Sequence, residues 1–206
     1  MQTENAESAL QKTLRKRRWR FCDDRPAPVE RHMHSLEPRR VRATVLFGDI
    51  VGSTERLAEM GDQQWMQVLN EYYAIIRRGL GAFQGQHVST NGDGFLATFR
   101  DPLQAIRCAS LIRESVKGLG LRIRIGMHVG ECLYLGESVG GLTVHIGARI
   151  AAAADAGEVL VSDALKTHLA DSDIRFVDRG SYDLKGVPGT WRLFTADQHR
   201  NSPEAG

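Results

Sequence analysis

Residues 87–99, HVSTNGDGFLATF, decide the fold class of this 206-residue chain. Two apolar-rich runs meet at Asn91-Gly92, and an Asn-Gly pair between such runs is a strong short-range signal for a β-hairpin. Before and after the hairpin, strand patterns alternate with helix patterns. A hairpin inside alternating strand–helix units predicts a mostly antiparallel sheet covered by helices, which is an α+β sandwich.

The flanking segments predict the element order β-α-α-β-β-α-β-α-β-α-β-β. VRATVLFGDI (41–50) is typical of a buried strand, and GSTERLAEMG (52–61) begins a helix with Ser53 or Thr54 as its N-cap. Asp62 is the expected cap of a second helix. The later elements are a helix from Asp101-Pro102, a strand at 121–131, a helix at 143–156, a strand at 158–162, a short helix and two closing strands.

The composition indicates one domain of ordinary size with tails. With 42% hydrophobic residues the chain can bury a sizeable core, and no apolar run is long enough to span a membrane. The N-terminus lacks the pattern of a signal peptide, and the three cysteines have no metal-ligand spacing, which is typical of reduced thiols. These features predict a cytoplasmic protein.

Residues 1–40 are predicted to form a basic, flexible tail. They carry ten Lys or Arg against six Asp or Glu, and KTLRKRRWR (12–20) alone holds six basic residues. The remainder carries seventeen against nineteen, and this balance argues against a nucleic-acid-binding domain. We therefore expect a domain at 41–196 and a C-terminal tail at 197–206. Contact of the basic tail with RNA, lipid or a protein partner stays open.

Two aspartates are the first candidate functional residues. Asp49 ends the first strand, and Asp93 lies in the hairpin turn between two glycines. If the strand lies beside the hairpin, both carboxylates reach one sheet edge, where their repulsion favours a bound cation. Hard oxygen ligands without His or Cys nearby suit Mg²⁺ or Mn²⁺. The alternative is that Asp93 is a turn residue and Asp49 a helix cap.

The loop after the first strand adds a candidate phosphate site. Residues 50–54, IVGST, open a helix whose free N–H groups can receive phosphate oxygens, with Gly52 and Ser53 as the contacts. Gly92 and Gly94 leave room for a bulky ligand beside the turn. Together with the two aspartates, this loop indicates two metal ions and a nucleoside triphosphate.

Four ordered motifs resemble the catalytic domain of class III nucleotidyl cyclases, in particular the actinobacterial adenylate/guanylate cyclase domains. They are VLFGDIVGSTE (45–55), STNGDGFLATF (89–99), GLTVHIGARIAAAA (141–154) and DRGSYDLKGVPGTWRLF (178–194). The resemblance covers residues 41–196. It implies a ferredoxin-like sandwich of the kind found in polymerase palms. It also implies a head-to-tail homodimer with two active sites at the subunit interface.

The resemblance implies a metal site and a reaction. Asp49, Asp93 and the backbone carbonyl of Ile50 match the ligands of two Mg²⁺ or Mn²⁺ ions. The implied reaction is attack of the ribose 3′-hydroxyl of ATP on the α-phosphate, which yields 3′,5′-cyclic AMP and pyrophosphate. GTP is the second candidate substrate.

Three further residues take implied roles from the same resemblance. Arg149 matches an arginine that stabilises the transition state, and Lys185 matches a lysine that binds the terminal phosphates. His145 stands where the family has a ribose-orienting asparagine, and it shares a helix face with Arg149 because four residues separate them. The alternatives are a surface ion pair for Arg149, an exposed loop residue for Lys185 and a satisfied interfacial histidine for His145.

The same resemblance implies that two serines occupy the positions that read the base. Ser89 and Ser138 stand where typical adenylate cyclases have lysine and aspartate. A serine hydroxyl can donate or accept and can rotate, so it rejects a wrong base less strictly than a fixed charge. The sequence therefore predicts weak base discrimination. It leaves open a catalytically impaired regulatory module that binds nucleotide or dimerises, and, as a weaker hypothesis, a nucleic-acid protein built on the basic tail.

Overall fold

The computed structural model describes residues 37–198, which form an eight-stranded sheet with helices on it. The strands are β1 (Arg39–Ile50), β2 (Gln86–Asn91), β3 (Gly94–Phe99), β4 (Ile123–Leu135), β5 (Ser138–Gly140), β6 (Val159–Ser162), β7 (Ile174–Asp183) and β8 (Thr190–Gln198). The helices are α1 (Ser53–Met60), α2 (Asp62–Ala82), α3 (Pro102–Ser115), α4 (Leu142–Ala153) and α5 (Asp163–His168), and a 3₁₀ turn covers Val116–Leu119. The tails expected at 1–40 and 197–206 lie almost wholly outside the described residues.

The strands run in the order β2-β3-β1-β4-β6-β8-β7, with β5 paired to β4. Among the pairs of described strands, β4 with β6 is parallel and the others are antiparallel. The predicted α+β fold with a mostly antiparallel sheet is therefore confirmed. Apart from the 3₁₀ turn, the predicted element order omitted only β5, because a three-residue strand is too short to show a period-two pattern.

One face of the sheet holds the larger core and packs against α2, α3 and α5. Leu46 and Ile50 of β1 point to this face, in keeping with the period-two alternation of a strand. Tyr72 and Ile76 of α2 and Ile106 of α3 pack against the same cluster, with almost no exposed surface. Their helical spacing of three and four residues explains why each helix turns one apolar stripe towards the sheet.

Helix α4 packs on the opposite face of the sheet through glycines. A Cβ on Gly126 of β4 would lie 2.0 Å from the backbone nitrogen of Ala151, and a Cβ on Gly147 of α4 would lie 2.6 Å from Val45 Cγ2. The helix backbone therefore rests almost directly on the strands. Its outward side, which carries His145 and Arg149, is exposed.

The start of α3 follows its prediction. Asp101 is the N-cap, its carboxylate accepts a hydrogen bond from the backbone N–H of Leu103 at 2.8 Å, and Pro102 is the first helical residue. Proline suits this position because a helix leaves the first N–H groups without partners. Among residues 37–198, none of the helices is both long and apolar enough to cross a membrane.

The capping predictions for α1 and α2 are wrong. Gly52 precedes α1 with a left-handed φ of 70° and no side-chain hydrogen bond, so neither Ser53 nor Thr54 is the cap. The hydroxyl of Ser53 instead lies within hydrogen-bonding reach of the Asp93 carboxylate in the hairpin turn. Gly61 precedes α2, so Asp62 is the first helical residue, where its charge favours the helix dipole.

Candidate active site

The β2–β3 turn carries Asp93. Asn91 pairs with Gly94, so the two central turn residues are Gly92 and Asp93, one position later than the Asn91-Gly92 turn that the sequence suggested. Gly92 adopts a φ of 62°, which glycine tolerates without strain. The hydroxyl of Tyr73 in α2 donates a hydrogen bond to the carbonyl of Gly92 and so anchors the turn.

The structure brings Asp49 and Asp93 together. Asp49 is the penultimate residue of β1, and β1 pairs with β3, which begins at Gly94 directly after the turn. A Cβ on Gly94 would lie 3.5 Å from Asp49 Oδ1, so the missing side chain keeps this oxygen accessible. The Asp49 and Asp93 carboxyl groups are within hydrogen-bonding reach of each other.

The electrostatics of the pair are unfavourable. Burial raises the pKa of the Asp93 carboxyl above its usual value, and the negative charge of Asp49 raises it further. A hydrogen bond to Ser53 lowers the pKa of Asp93 in the opposite direction, because it stabilises the charged form. Two carboxyl groups in contact, one of them half-buried, form a site that a cation would stabilise.

Arg124 is a site residue that the sequence analysis missed. It lies directly opposite Asp49 in the β1–β4 register, and its Nε and Nη2 both donate to Asp49 Oδ2, at 3.1 and 2.6 Å. The signal in the sequence was a charge at every second position of a strand, Arg122 and Arg124 in LRIRIG. The strand register decides which carboxylate each arginine faces. That register is visible only in the folded chain.

The loop from β1 into α1 lies next to the pair but differs from a simple phosphate loop. The Ser53 hydroxyl lies within hydrogen-bonding reach of the Asp93 carboxylate, so Asp93 competes with a phosphate for it. Glu55 lies in the first turn of α1, and its Oε2 lies 3.6 Å from where a Cβ on Gly52 would be. A phosphate here would therefore meet a carboxylate as well as backbone N–H groups.

His145, Arg149 and Lys185 do not reach the two aspartates within the chain. His145 and Arg149 lie on the exposed side of α4, and Lys185 is exposed in the turn between β7 and β8. Among the described residues, none of these three forms a hydrogen bond or an ion pair with Asp49 or Asp93. One chain thus presents the carboxylates and the outward basic residues as two separate groups.

The chain neighbours of the two base-reading candidates pack against one apolar cluster. Ser89 is half-buried in β2, and Ser138 is exposed in β5. Their chain neighbours Val88 and Val139 both pack against the same buried residues, which lie on the α4 side of the sheet. These residues are Ala43, Val45, Leu96 and Cys132.

The sequence matches one known family over most of its length. Residues 37–197 match the family described as the adenylate and guanylate cyclase catalytic domain. The chain belongs to this family. The predicted class III nucleotidyl cyclase catalytic domain is thereby confirmed, whereas the actinobacterial type stays a prediction.

Similar proteins include cyclases for both purine nucleotides. The putative adenylate cyclase 3 of Rhizobium meliloti is 27% identical over 178 residues, which cover 80% of this chain and 30% of the relative. The solved adenylyl cyclase CyaB from P. aeruginosa is 24% identical with a TM-score of 0.76, over 81% of this chain and 98% of that chain. The guanylate cyclase domain of RhGC from Catenaria anguillulae, solved with GTP, is 19% identical with a TM-score of 0.70, over 78% and 98%.

These likenesses show the fold and leave the substrate undecided. Adenylyl and guanylyl cyclases stand side by side among them. The chain also spans less than a third of the length of the first curated relatives that it matches, which cover 30%, 18% and 21%. The activity of the whole protein is therefore a matter for proposal.

Proposed function

We propose that this domain converts ATP into 3′,5′-cyclic AMP and pyrophosphate at a site shared by two copies of the chain. The observation that carries the proposal is the contact between Asp49 and Asp93 at one sheet edge of a cyclase-family domain. GTP is the second substrate to test, because cyclases of both specificities share this fold.

The aspartate pair fits a divalent cation. The carboxylates of Asp49 and Asp93 and the backbone carbonyl of Ile50 are hard oxygen donors, which Mg²⁺ and Mn²⁺ prefer. The side chain of Ile50 is 2% exposed and faces the core, so only its backbone could serve. Among residues 37–198, no cluster of three or more His, Cys, Asp and Glu could hold a metal. The remaining ligands would therefore come from water and the nucleotide phosphates.

When bound, two such ions would lower the pKa of the ribose 3′-hydroxyl and neutralise the leaving pyrophosphate. The residues of the chain would bind and orient the nucleotide. Asp49 and Asp93 would hold the reacting end, and Arg149 of the second copy would present its planar fork of donors to the α-phosphate region. Lys185 would bind the terminal phosphates, and His145 would donate one hydrogen bond to the ribose.

An exposed apolar patch supports the homodimer in this proposal. Leu133 and Leu135 of β4 and Leu142 at the start of α4 are 37%, 53% and 56% exposed. They lie next to the helix that carries His145 and Arg149. Apolar side chains grouped in this way on a surface favour contact with another protein surface.

The base would lie near Ser89 and Ser138, the residues at the two base-reading positions. Two rotatable hydroxyls can donate to one base and accept from the other. The penalty for a wrong base, an unpaired buried polar group, is then small. We expect ATP and GTP to differ less in kcat/KM than they do with charged base-reading residues.

The test is cyclic nucleotide production by the purified chain, with ATP or GTP and with Mg²⁺ or Mn²⁺. We expect metal-dependent cyclic AMP, and we expect Asp49→Ala and Asp93→Ala to reduce turnover at least about a thousandfold with the circular dichroism spectrum kept. Asp62→Ala, which removes an exposed aspartate outside the site, is the control. A folded dimer that forms product from neither nucleotide would contradict the proposal. Normal turnover by Asp49→Ala would refute the metal assignment.

A further inference from the structure

The Asp49 carboxylate has a cationic partner in its own chain. Nε and Nη2 of Arg124 both donate to Asp49 Oδ2, at 3.1 and 2.6 Å. The other oxygen of Asp49, Oδ1, faces Gly94 at the hairpin turn. The β1–β4 register holds Arg124 opposite Asp49, so the sheet itself builds this pair. Its side chains are 39% and 34% exposed, and water therefore screens the pair only in part.

The charge of Arg124 has two consequences for a cation near Oδ1. It offsets part of the negative charge that Asp49 and Asp93 place at this edge, which makes the metal-free pair less costly. It also repels a divalent cation, since a positive charge bonded to one oxygen of a carboxylate lies only a few ångströms from a cation at the other oxygen. Both effects depend on the charge of Arg124 rather than on its shape.

We infer that Arg124 is a built-in counter-charge that keeps the aspartate pair from binding a divalent cation tightly until a nucleoside triphosphate is present. The inference rests on the proposed function. A triphosphate brings several negative charges, which outweigh the repulsion from one guanidinium. Cation and nucleotide then bind together, and the empty domain does not retain metal.

The experiment measures Mn²⁺ binding without nucleotide, from the electron paramagnetic resonance signal of free Mn²⁺ in titrations of the purified chain. Arg124→Gln keeps a hydrogen-bond donor and removes the charge. Arg124→Lys keeps the charge and loses the fork. Arg122→Gln is the matched control, because Arg122 is an exposed arginine two positions earlier in the chain.

We expect Arg124→Gln to bind Mn²⁺ about tenfold more tightly than the wild-type chain. Arg124→Lys and Arg122→Gln should stay within about threefold of the wild type. A non-reactive ATP analogue should reduce the difference between Arg124→Gln and the wild type. In thermal unfolding, Arg124→Gln should be less stable than the wild type without metal and should recover on addition of Mn²⁺.

Several outcomes would overturn the inference. Mn²⁺ binding by Arg124→Gln that is equal to or weaker than that of the wild-type chain would do so. Weaker binding by both Arg124→Gln and Arg124→Lys would show that Arg124 orients Asp49 instead. If Arg124→Gln does not fold, Arg124→Lys still decides, because tight binding by a variant that keeps the charge contradicts a counter-charge role. Mn²⁺ binding that Asp49→Ala leaves unchanged would refute the metal site itself. Normal cyclase activity without tighter binding by Arg124→Gln would refute only this inference.

Discussion

His128 is a buried histidine in the middle of β4. Its Nδ1 lies 2.8 Å from the Ser162 hydroxyl, and its ring meets the Trp191 ring edge-on at 5.6 Å between centroids. Burial lowers the pKa of His128 from 6.5 to about 4, because the protonated ring loses its water. The folded chain therefore binds this proton less well than the unfolded chain. The contribution of neutral His128 to the free energy of unfolding is fully present above pH 6.5 and is lost as the pH falls towards 4.

We expect His128 to account for about 3 kcal/mol of unfolding free energy lost between neutral pH and pH 4. Substitution His128→Gln should remove this part of the pH dependence, since glutamine does not titrate and can still bond to Ser162. Urea unfolding followed by tryptophan fluorescence across this range is the measurement. His168→Gln, which replaces an exposed histidine, is the control. Equal pH slopes for His128→Gln and the wild type would contradict the assignment.

Tyr73 acts on the site through the turn that it anchors. Substitution Tyr73→Phe keeps the ring beside Tyr72, 5.3 Å away between centroids, and removes only the hydrogen bond to the Gly92 carbonyl. We expect a loss of about 1 kcal/mol of stability. The Mn²⁺ concentration for half-maximal cyclase activity should rise about threefold, because the turn positions Asp93 less firmly. Tyr134→Phe is the control, and an unchanged Mn²⁺ requirement would show that the turn needs no anchor.

At the scale of elements, the contact between α4 and β4 depends on the absence of side chains. The backbone of Ala151 lies where a Cβ on Gly126 would be, and the Thr143 hydroxyl lies 2.5 Å from a Cβ on Gly130. Backbone atoms cannot rotate away as the end of a long side chain can. The close approach therefore sets the height of α4 above the sheet, and with it the position of Arg149.

Substitution Gly126→Ala should destabilise the domain by at least about 2 kcal/mol, because either the helix or the strand must move. Gly81→Ala is a matched control, since Gly81 lies in α2 with open space around it and without a positive φ. That change should be neutral or should stabilise by about 0.5–1 kcal/mol. Thermal unfolding of both variants is the measurement. Equal effects would show that α4 adjusts its position easily.

At the scale of the whole molecule, the carboxylates and the outward basic residues of one chain belong to two different sites of the proposed dimer. An Asp93→Ala chain keeps Arg149, and an Arg149→Ala chain keeps both aspartates. After subunits exchange, each mixed dimer has one complete site. An equal mixture should therefore regain roughly a quarter of the wild-type activity, although each variant alone is inactive.

Cyclic AMP formation by the mixture is the measurement, after incubation long enough for exchange. A mixture of Asp49→Ala and Asp93→Ala chains is the control, because both substitutions damage the same half of the site and no complete site forms. Recovery in that control would mean that the aspartates come from different subunits. No recovery in either mixture, with folded and exchanging dimers, would contradict a shared site.

Much of this molecule could be predicted from local sequence patterns. Three elements were predicted correctly because their signals depend on neighbours in the chain. These signals are the alternation of apolar and polar residues along β1, the apolar stripe of α2 and the Asp101-Pro102 start of α3. The turn was misplaced by one residue, because Asn91-Gly92 and Gly92-Asp93 are both acceptable turn pairs and the pairing of β2 with β3 chooses between them.

The sequence by itself determined the α+β class, the cyclase family and the two aspartates at strand and hairpin ends. These follow from periodicity, turn chemistry and ordered motifs, which are local properties. Only the tertiary structure decided that Arg124 binds Asp49, that Ser53 bonds to Asp93 and that α4 rests on Gly126. Each of these contacts joins residues far apart in the chain or across a turn. Strand register and helix packing create them, and a side-chain pattern read along one strand cannot specify its partner.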